Sequence, residues 1–518
     1  MRKFFLTILL IPFYLLAQQD IQVNSQYHVE AEFDVKINPT NPNNIVLAIF
    51  NVDLIHSSIY YTFDGGNTWQ ESNFKGIVDS SHTGNSGDPV LTFSNNGDLF
   101  FTYITMDTSH KVDTALAKST DGGATWQNVM MIAEDNTDKP WTAINTFSST
   151  ANYDNIYVIL VENQAKLYTI HYDSNTQAYN KVHNVSITDG QLLPSIVVKK
   201  DGTLFTSTLS AVNPNRLYVQ AFSQNGSHLD RSVEVASFPS YLFHAPDVSM
   251  RFQPAAYLAI DNSGGAHDGR LYLAYTAEEQ GQHVVFDIFL TYSDDNGQTW
   301  STPRPIHPSA SAGTQQFYSS IFVNPEGKLI ISWFDRRNHP QGSKLTDFYV
   351  GVSSDGGETF QEVKVNSALT DFSKILHSGN NFGVGDYQNI TATNNMAYVF
   401  WADGREGNGD VNLYMAKIDL THLNVISYSN ISTDISMANI YPQPVENTLH
   451  TSISTKKDVQ LQYRIYDLNG KELFASKKVK YPIGKHAVNI NLNLPAGNYF
   501  VLFTTDSGYL NTQRFIKQ

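Results

Sequence analysis

The 518-residue chain carries 34 Lys and Arg against 49 Asp and Glu, a formal net charge of −15, and it contains no cysteine. This length allows more than one domain, and the acidic balance argues against a nucleic-acid partner or a polyanionic substrate drawn in by the overall field. The absence of cysteine excludes structural disulfides and thiolate metal sites.

The chain begins with a short basic segment followed by an apolar one. Met1–Lys3 supplies two positive side chains, Phe4–Leu16 is mostly apolar, and Ala17 is small. This order is typical of a secretory signal peptide, and the apolar run is too short to span a bilayer. We therefore expect residues 1–17 to be a signal peptide of a secreted or cell-surface protein exported through the periplasm. No later run predicts a transmembrane segment.

A repeat with a mean period of about 59 residues follows. Each copy holds an apolar strand, a turn rich in Gly, Asn or Asp, and a second strand that ends in aromatic residues. The copies are Val29–Asn51, Asp88–Ile104, Asp138–Leu160, Leu193–Leu209, Ala255–Tyr275, Phe317–Phe334 and Asp386–Trp401. Seven such units predict an all-β chain folded as a seven-bladed β-propeller over residues 18–426, with six blades as the alternative. Since the seventh unit ends early, we expect Ile21–Ser25 to complete its sheet.

A shorter motif, Ser/Thr-x-Asp-x-Gly-x-Thr-aromatic, occurs four times, in residues 62–69, 119–126, 293–300 and 353–360. Glycine provides the positive φ of a tight turn, the Asp can accept the turn's own N–H groups, and the ring can point inward. The motif resembles the Asp-box (BNR) repeat of sialidase-like β-propellers. We expect it at the turn between the third and fourth strands, with structural roles for Asp64, Trp69, Asp121, Trp126, Asp295, Trp300, Asp355 and Phe360.

The pattern changes after Leu420. Residues 427–436 are short and polar and predict a linker. Residues 437–518 contain Tyr441-Pro442-Gln443-Pro444, a turn at Asn469-Gly470 and a basic end. They resemble the C-terminal sorting domain of type IX secretion cargo, with Gln443 in the place of the usual Asn. The resemblance implies a small β-sandwich that is read by the type IX secretion machinery; an unrelated β-sandwich is the alternative.

Propeller geometry selects the residues that could carry chemistry. The start of the first strand and the end of the second open onto one face, the central mouth, and the Asp boxes lie at the other. Mouth positions include Glu30 and four acid/base candidates, Asp88, Asp138, Asp335 and Asp386. The predicted substrate-binding residues are Lys139, Trp141, Arg336, Arg337, Tyr387, Asp403 and Arg405. Paired carboxylates can act as general acid and base, Arg can bind hydroxyls or carboxylates, and aromatic rings can stack on sugars. The alternative is that Asp and Arg merely tie neighbouring blades together.

The sialidase resemblance fails at the residues that matter for sialic acid. Sialidases hold the substrate carboxylate with three arginines, the first in an early Arg-Ile-Pro-like motif, whereas this chain has no arginine between Lys3 and Asn215. We therefore expect a carbohydrate-active enzyme, a glycoside hydrolase or a lyase, but not an authentic sialidase. A non-catalytic propeller that binds a glycan or a protein at the cell surface is the second hypothesis.

No cofactor or metal site is predicted. The loop Asp261–Gly269 has enough oxygen ligands for calcium, but a long glycine-rich hairpin is the favoured interpretation. The expected partners are a glycan or glycoconjugate and the type IX machinery, and the expected state is a monomer.

Overall fold

The structure is a computed structural model that describes residues 20–24, 28–76, 79–134, 136–187, 192–210, 216–237, 256–278, 286–307, 315–340, 342–375, 383–407, 409–421, 435–437, 440–442, 444–466, 472–505 and 510–518. The predicted signal peptide and almost all of the predicted linker lie outside these residues. The chain divides into two compact units, residues 1–358 with 362–424, and residues 425–518 with 359–361.

The prediction of an all-β chain is confirmed. Strands account for nearly all regular structure in the described residues, and their only helix is a three-residue 3-10 turn, Phe372–Lys374. In the same residues, no helix has the length and apolar character needed to cross a membrane.

The first unit contains seven antiparallel sheets, named I to VII in chain order, and is preceded by a short strand β1, Ile21–Gln22. Within sheets I to VI the strands follow one another as meanders. The strands of sheets I to III are β2 Glu30–Asn38, β3 Asn41–Asn51, β4 His56–Thr62, β5 Gln70–Glu71; β6 His82–Phe93, β7 Leu99–Asp107, β8 Val112–Ser119, β9 Gln127–Ala133; β10 Thr137–Ile144, β11 Ile156–Glu162, β12 Gln164–Asp173 and β13 Ala178–Ser186.

Sheets IV to VII continue the same plan. Their strands are β14 Leu192–Val198, β15 Leu204–Leu209, β16 Arg216–Phe222, β17 Leu229–Ser237; β18 Ala256–Ile260, β19 Leu271–Glu278, β20 Phe286–Ser293, β21 Arg304–Pro305; β22 Gln316–Val323, β23 Leu329–Asp335, β24 Leu345–Ser353, β25 Gln361–Lys364, β26 Thr370–Asp371; β27 Ile390–Ala392, β28 Met396–Gly407 and β29 Asp410–Asp419. Sheet VII is completed by β1, whose Ile21 pairs with Met415 as expected.

The first strands of the sheets pack on one another in a cyclic order. Strand β2 packs against β6, β6 against β10, β10 against β14, β14 against β18, β18 against β22, β22 against β27, and β27 against β2. Their starts therefore face one another. The cores between the sheets are filled by apolar side chains of the first three strands, with Trp333 and Trp401 among the largest fully buried residues.

A β-bulge recurs near the start of five of these first strands. The bulge residue adopts a positive φ in each case: Glu32 46°, Asp88 46°, Lys139 50°, Leu193 47° and Tyr318 55°. A bulky residue with a positive φ is uncommon and costs free energy, so this repeated conformation is an imposed feature of the fold.

The Asp-box turns join the third and fourth strands of sheets I, II, V and VI. In the first box, Asp64 accepts hydrogen bonds from the backbone N–H groups of Asn67 and Thr68, at 2.9 and 3.0 Å, and from the Thr68 hydroxyl. A hydrogen bond from the Thr62 hydroxyl at 2.7 Å, together with those from Thr68 and Asn67, holds the pKa of Asp64 well below its usual range. The corresponding carboxylates of Asp121 and Asp295 accept from the Thr four positions later in the same way.

The second unit has two sheets and a core of its own. Its strands are β30 Ile435–Met437, β31 Thr448–Thr455, β32 Val459–Tyr466, β33 Glu472–Ala475, β34 Val479–Tyr481, β35 Gly484–Asn491, β36 Gly497–Thr505 and β37 Leu510–Lys517. One sheet has the order β30-β31-β35, and the other has the order β33-β32-β36-β37 with β34 paired to β32. Leu449, Ile453, Val501, Phe503 and Phe515 are fully buried between them.

Candidate functional site

Lys139 lies at the centre of a buried carboxylate cluster. Its Nζ is 3.0 Å from Oε1 of Glu32, 3.3 Å from Oδ1 of Asp88 and 2.8 Å from Oδ2 of Asp386. The three carboxylates come from sheets I, II and VII, and each is at most 6% exposed. The cluster therefore joins four sheets around one ammonium group, at the predicted mouth.

The backbone bulges direct these side chains toward one another. Glu32, Asp88 and Lys139 are the positive-φ residues of β2, β6 and β10. The backbone N–H of Lys139 donates to Asp88 Oδ2 at 2.9 Å, and the N–H of Asp386 donates to Glu32 Oε1 at 3.1 Å. Strained conformations of this kind persist only where surrounding contacts enforce them, and they gather at functional sites.

Burial and mutual charge separate the pKa values within the cluster. Burial raises the pKa of Glu32 well above its ordinary value, although Lys139 opposes the shift. Burial would also raise the pKa of Asp88, but the ammonium group and hydrogen bonds from Asp138 and Glu32 hold it below its ordinary value. The pKa of Lys139 is well above the usual value because the surrounding carboxylates outweigh its burial. The pKa values of Glu32 and Asp88 are therefore shifted in opposite directions.

Asp138 is the accessible member of the group. Desolvation by the surrounding protein and the nearby charge of Asp88 raise its pKa to about 7, and its protonated carboxyl donates a hydrogen bond to Asp88. Two adjacent carboxyl groups whose pKa values are driven apart are the usual arrangement for an acid and its ionised partner. Asp138 is exposed to solvent and can exchange its proton near neutral pH.

A cavity of about 250 Å³ opens beside these residues. Glu32, Asp88, Asp138 and Lys139 line it, together with other residues of β3, β6, β7, β8 and the β3–β4 loop. The structure therefore brings the predicted Asp88, Asp138 and Lys139 to one cavity, and Asp386 contacts the ammonium group of Lys139.

Aromatic residues form a second layer next to the cluster. The ring of Trp141 lies 5.5 Å from that of Tyr257 and 5.2 Å from that of Tyr387, centroid to centroid. The Tyr387 hydroxyl donates to the carbonyl of Pro89 at 3.1 Å, and its side chain is buried. Trp141 and Tyr257 also line a second cavity of about 280 Å³ inside the ring of first strands. The two predicted stacking residues thus lie beneath the acidic cluster.

The other predicted mouth residues form separate structural networks. Asp335 accepts from the Trp333 indole at 2.7 Å and from the backbone N–H and Nε of Arg337, both at 2.8 Å. Arg337 also contacts Glu362, and its guanidinium lies over the ring of Tyr349. These contacts belong to sheet VI, and the structure does not bring them to Lys139.

Sheet VII repeats the same Trp-x-Asp-x-Arg arrangement. Asp403 accepts from the Trp401 indole at 2.8 Å and from Nε of Arg405 at 2.9 Å, and Arg405 reaches Asp20 at 2.6 Å. Arg336 is buried against Phe317 and donates to the Gln315 side chain at 2.6 Å. Desolvation lowers the pKa of Arg336 to about 10. Asp335, Arg336, Arg337, Asp403 and Arg405 are therefore engaged away from the Lys139 cluster, and Arg337 also contacts His307, which follows β21 of sheet V.

The sequence analysis did not identify Glu32 as a site residue, because it selected Glu30 at the start of the same strand. Glu30 is buried and accepts a hydrogen bond from the backbone N–H of Leu413 at 2.7 Å, outside the cluster. A fixed spacing identifies Glu32. It precedes the turn residue Asn38 by six positions, as Lys139 precedes Asn145, and the other three bulge residues also stand six positions before their turns.

The candidate calcium loop uses its carboxylates internally. Asp261 accepts from the backbone N–H of Ser263 at 2.8 Å, and Asp268 accepts from that of Gly264 at 2.7 Å. Among the described residues, no group of three His, Asp or Glu side chains is arranged to hold a metal ion.

Comparison with known families matches two segments. Residues 439–518 match the secretion system C-terminal sorting domain, and residues 291–302, which contain the third Asp box, match the BNR/Asp-box repeat. Both resemblances seen in the sequence are thereby confirmed. Among curated proteins, none matches this sequence.

Several solved structures are distantly similar to the chain. An alpha-L-arabinanase of Penicillium chrysogenum has 14% identity and a TM-score of 0.42 over 78% of this chain and 98% of its own. An ulvan lyase has 11% identity and a TM-score of 0.44 over the same shares. A microbial sialidase has 13% identity and a TM-score of 0.38 over 74% of this chain and 75% of its own. Likenesses this distant do not bear on the activity of the chain.

Proposed function

We propose that this protein is a secreted glycoside hydrolase whose chemistry takes place in the mouth of a seven-bladed β-propeller. The cyclic packing of seven four- or five-stranded sheets supports the propeller and its blade number. Two small sheets around one apolar core support a β-sandwich for the second unit.

One observation carries the enzymatic proposal: an accessible carboxyl group of raised pKa donates to an ionised neighbour at the edge of a cavity. Asp138 has a pKa of about 7 beside Asp88, whose pKa is lowered, and both line the 250 Å³ cavity. A proton donor with a pKa near neutrality can protonate the leaving oxygen of a glycosidic bond. Neighbouring carboxylates can stabilise the positive charge that develops on the sugar.

Four residues receive a role. Asp138 is the general acid. Asp88 accepts the hydrogen bond from the Asp138 carboxyl group and faces the positive charge that develops on the sugar. Lys139 positions the carboxylates, and Asp386 acts through Lys139 as a positioning residue. The oxygens of Glu32 and Asp88 lie 3.0 and 3.3 Å from the same ammonium nitrogen, which holds these two carboxyl groups close together at the cavity. Asp335, Asp403 and their arginines hold the sheet corners.

Hydrolysis is favoured over sialidase or lyase chemistry by what lines the cavity. Sialic acids and uronic acids carry a carboxylate that the enzyme must neutralise, and no arginine lies among the described residues around the cavity. The sole cation there, Lys139, is already shared by three carboxylates. The glycoside hydrolase hypothesis therefore takes precedence, and the non-catalytic glycan-binding propeller remains the second candidate because the buried ion cluster could serve folding alone.

The test is turnover by the purified full chain on a panel of polysaccharides and aryl glycosides. Replacing Asp138 with Asn removes the proton donor and should lower kcat by about 100-fold or more on natural linkages. Activated aryl glycosides, whose leaving groups need little protonation, should be much less affected. Asp173→Asn, in an exposed turn of sheet III, is the matched control and should retain full activity.

The outcomes separate the candidates. Loss of turnover in Asp335→Asn but not in Asp138→Asn would indicate that the reaction takes place at the end of β23 in sheet VI and not at the cavity. Binding without turnover on every glycan would favour the non-catalytic module.

A further inference from the structure

The cavity also has an apolar wall. Five apolar side chains from sheets I and II form it, and Ser86, Gly87 and Thr105 line the cavity beside them; the five are Phe50, Ile55, Ile104, Met106 and Val112. Four of them are only partly buried, and Ile55 is 62% exposed. Apolar side chains left in contact with solvent inside a concave site are typical of ligand contact surfaces.

The loop that presents Ile55 is held in place. Asp53 accepts from the backbone N–H of Val29 at 3.1 Å and contacts Nδ1 of His28 at 3.1 Å. Ile55 itself has a φ of 50°, a conformation that β-branched residues rarely adopt. The fold therefore accepts local strain while displaying an apolar side chain at the cavity edge.

Carboxyl groups outnumber cations among the described residues that line the cavity. Glu32, Asp88 and Asp138 line it with one cation, Lys139, whose ammonium group already contacts Glu32, Asp88 and Asp386. An acidic ligand group placed here would meet like charge without a compensating cation. The arginines of sheets VI and VII cannot supply one, because Arg337 and Arg405 are bound to Asp335 and Asp403.

The size of the cavity limits the ligand to a small unit. Its volume of about 250 Å³ is below the range of roughly 300–1,000 Å³ that is usual for drug-sized ligands. One sugar ring with a small substituent fits that space better than an extended chain. The carboxyl oxygens can accept hydrogen bonds from sugar hydroxyls, while the wall can contact only C–H groups.

We infer that the cavity binds one uncharged sugar unit with an apolar group against the Ile55 wall, and that it rejects sugars bearing a carboxylate or sulfate. The apolar group is either the methyl of a 6-deoxy sugar or an apolar aglycone. The inference rests on the proposed function for the location of the site, and it names the substrate class of that site.

The experiment measures binding of matched probes to the full chain by calorimetry. Methyl glycosides of D-fucose, D-galactose and D-galacturonic acid share one ring configuration and differ only at C6, which is a methyl, a hydroxymethyl or a carboxylate. L-Rhamnose and L-mannose supply a second pair, and phenyl glycosides test the aglycone, all as both anomers. The 6-deoxy or phenyl probe should bind at least about threefold more tightly than its partner, and the galacturonide at least about tenfold more weakly than the galactoside.

Two variants test which part of the cavity produces each preference, the apolar wall for the apolar probe and the carboxyl groups for the neutral sugar. Ile55→Asn introduces a residue that tolerates a positive φ, so folding is preserved, and it should abolish the preference for the apolar probe. Leu54→Asn is the matched control, since Leu54 is 52% exposed in the same loop but does not line the cavity. Asp138→Asn should reduce the discrimination against the galacturonide at pH 8.

Equal or tighter binding of the galacturonide, an apolar preference unchanged in Ile55→Asn, or no binding of any probe would each overturn the inference. Turnover of glycans by a protein that accepts acidic sugars would leave the proposed function standing. Selective binding of neutral probes without turnover would contradict the proposed enzymatic activity and support the inferred binding specificity.

Discussion

At the scale of single residues, the central feature is an excess of carboxyl groups around one ammonium group. Burying several carboxyl groups beside the single ammonium group of Lys139 is costly, because each charge removed from water is compensated only in part. Burial accordingly raises the pKa values of Glu32 and Asp138. Burial that would otherwise be purely destabilising thereby creates a proton donor near neutral pH.

This proton makes the stability of the first unit depend on pH. Folding raises the pKa of Asp138 from 3.8 to about 7, so its contribution to stability is complete below pH 4 and is lost as the pH rises through 7. Asp138→Asn does not titrate. The melting temperature of wild type minus that of Asp138→Asn should therefore fall between pH 4 and pH 7 and level off above pH 8, in melts followed by tryptophan fluorescence.

An opposite control is available in the same unit. Hydrogen bonds from the backbone and side chains of its own turn lower the pKa of Asp173, so its contribution is present above pH 4 and is lost as the pH falls further. The melting temperature of wild type minus that of Asp173→Asn should therefore change only below about pH 4. A wild-type advantage over Asp138→Asn that grows toward pH 8 would contradict the assigned pKa.

The sequence predicts Asp88, Asp138, Lys139 and Asp386 as site residues because each stands at or next to the predicted start of a repeated first strand, and their roles stay a prediction. It could not separate them from Asp335 or Asp403, since the two sets have the same residue types at the same rim. The two sets differ in their hydrogen-bond partners. Asp335 accepts hydrogen bonds from the Trp333 indole and from Arg337, and these contacts depend on the conformation at the end of the strand.

At the scale of elements, the Asp-box turn joins neighbouring sheets as well as two strands. Gly122 has a φ of 73°, and its carbonyl accepts from Nδ2 of Asn44 in sheet I at 3.0 Å. Asn44 is fully buried, also donates to Thr62 and accepts from Asn38. A side chain that satisfies three backbone or side-chain partners cannot move away without leaving polar groups unpaired.

Replacing Gly122 with Ala should therefore be costly. The added Cβ would lie 2.6 Å from Oδ1 of Asn44, so a clash of about 1–3 kcal/mol is added to about 1–2 kcal/mol of left-handed strain. Gly342→Ala is the matched control, since Gly342 has a φ of 81° with nothing within 4 Å of the added atom. Urea unfolding followed by fluorescence should show a larger drop in midpoint for Gly122→Ala, and equal drops would refute the inter-sheet role.

The elements themselves were largely predictable, and the bulges were not. Apolar alternation and turn residues identify the repeated strands, and the Asp-box motif identifies four of the turns. A bulge has no such signature, because it depends on the pairing of two strands rather than on one residue type. The residues that occupy it here, Glu32, Asp88, Lys139, Leu193 and Tyr318, share only their distance from the next turn.

At the scale of the whole molecule, the distribution of charged residues divides the chain into a long acidic part and a short basic part. Residues 436–518 carry ten Lys and Arg against five Asp and Glu, which leaves −22 on residues 18–435 once the two basic residues of the predicted signal peptide are set aside. The basic part contains the matched sorting domain and has its own buried core. An independent core lets this part fold and be recognised without the first unit.

Export should therefore depend on the second unit and not on the mouth. In a host with type IX secretion, the full chain is expected at the cell surface or in the medium, whereas a chain ending at residue 424 should accumulate in the periplasm, because the recognised domain is gone. Cell fractionation with immunodetection measures both, and Asp138→Asn in the full chain should be exported like wild type. A host that lacks the type IX translocon supplies the control, in which both chains stay in the periplasm. Surface delivery of the shortened chain in the competent host would contradict the sorting role, since no recognition by the translocon would then be required.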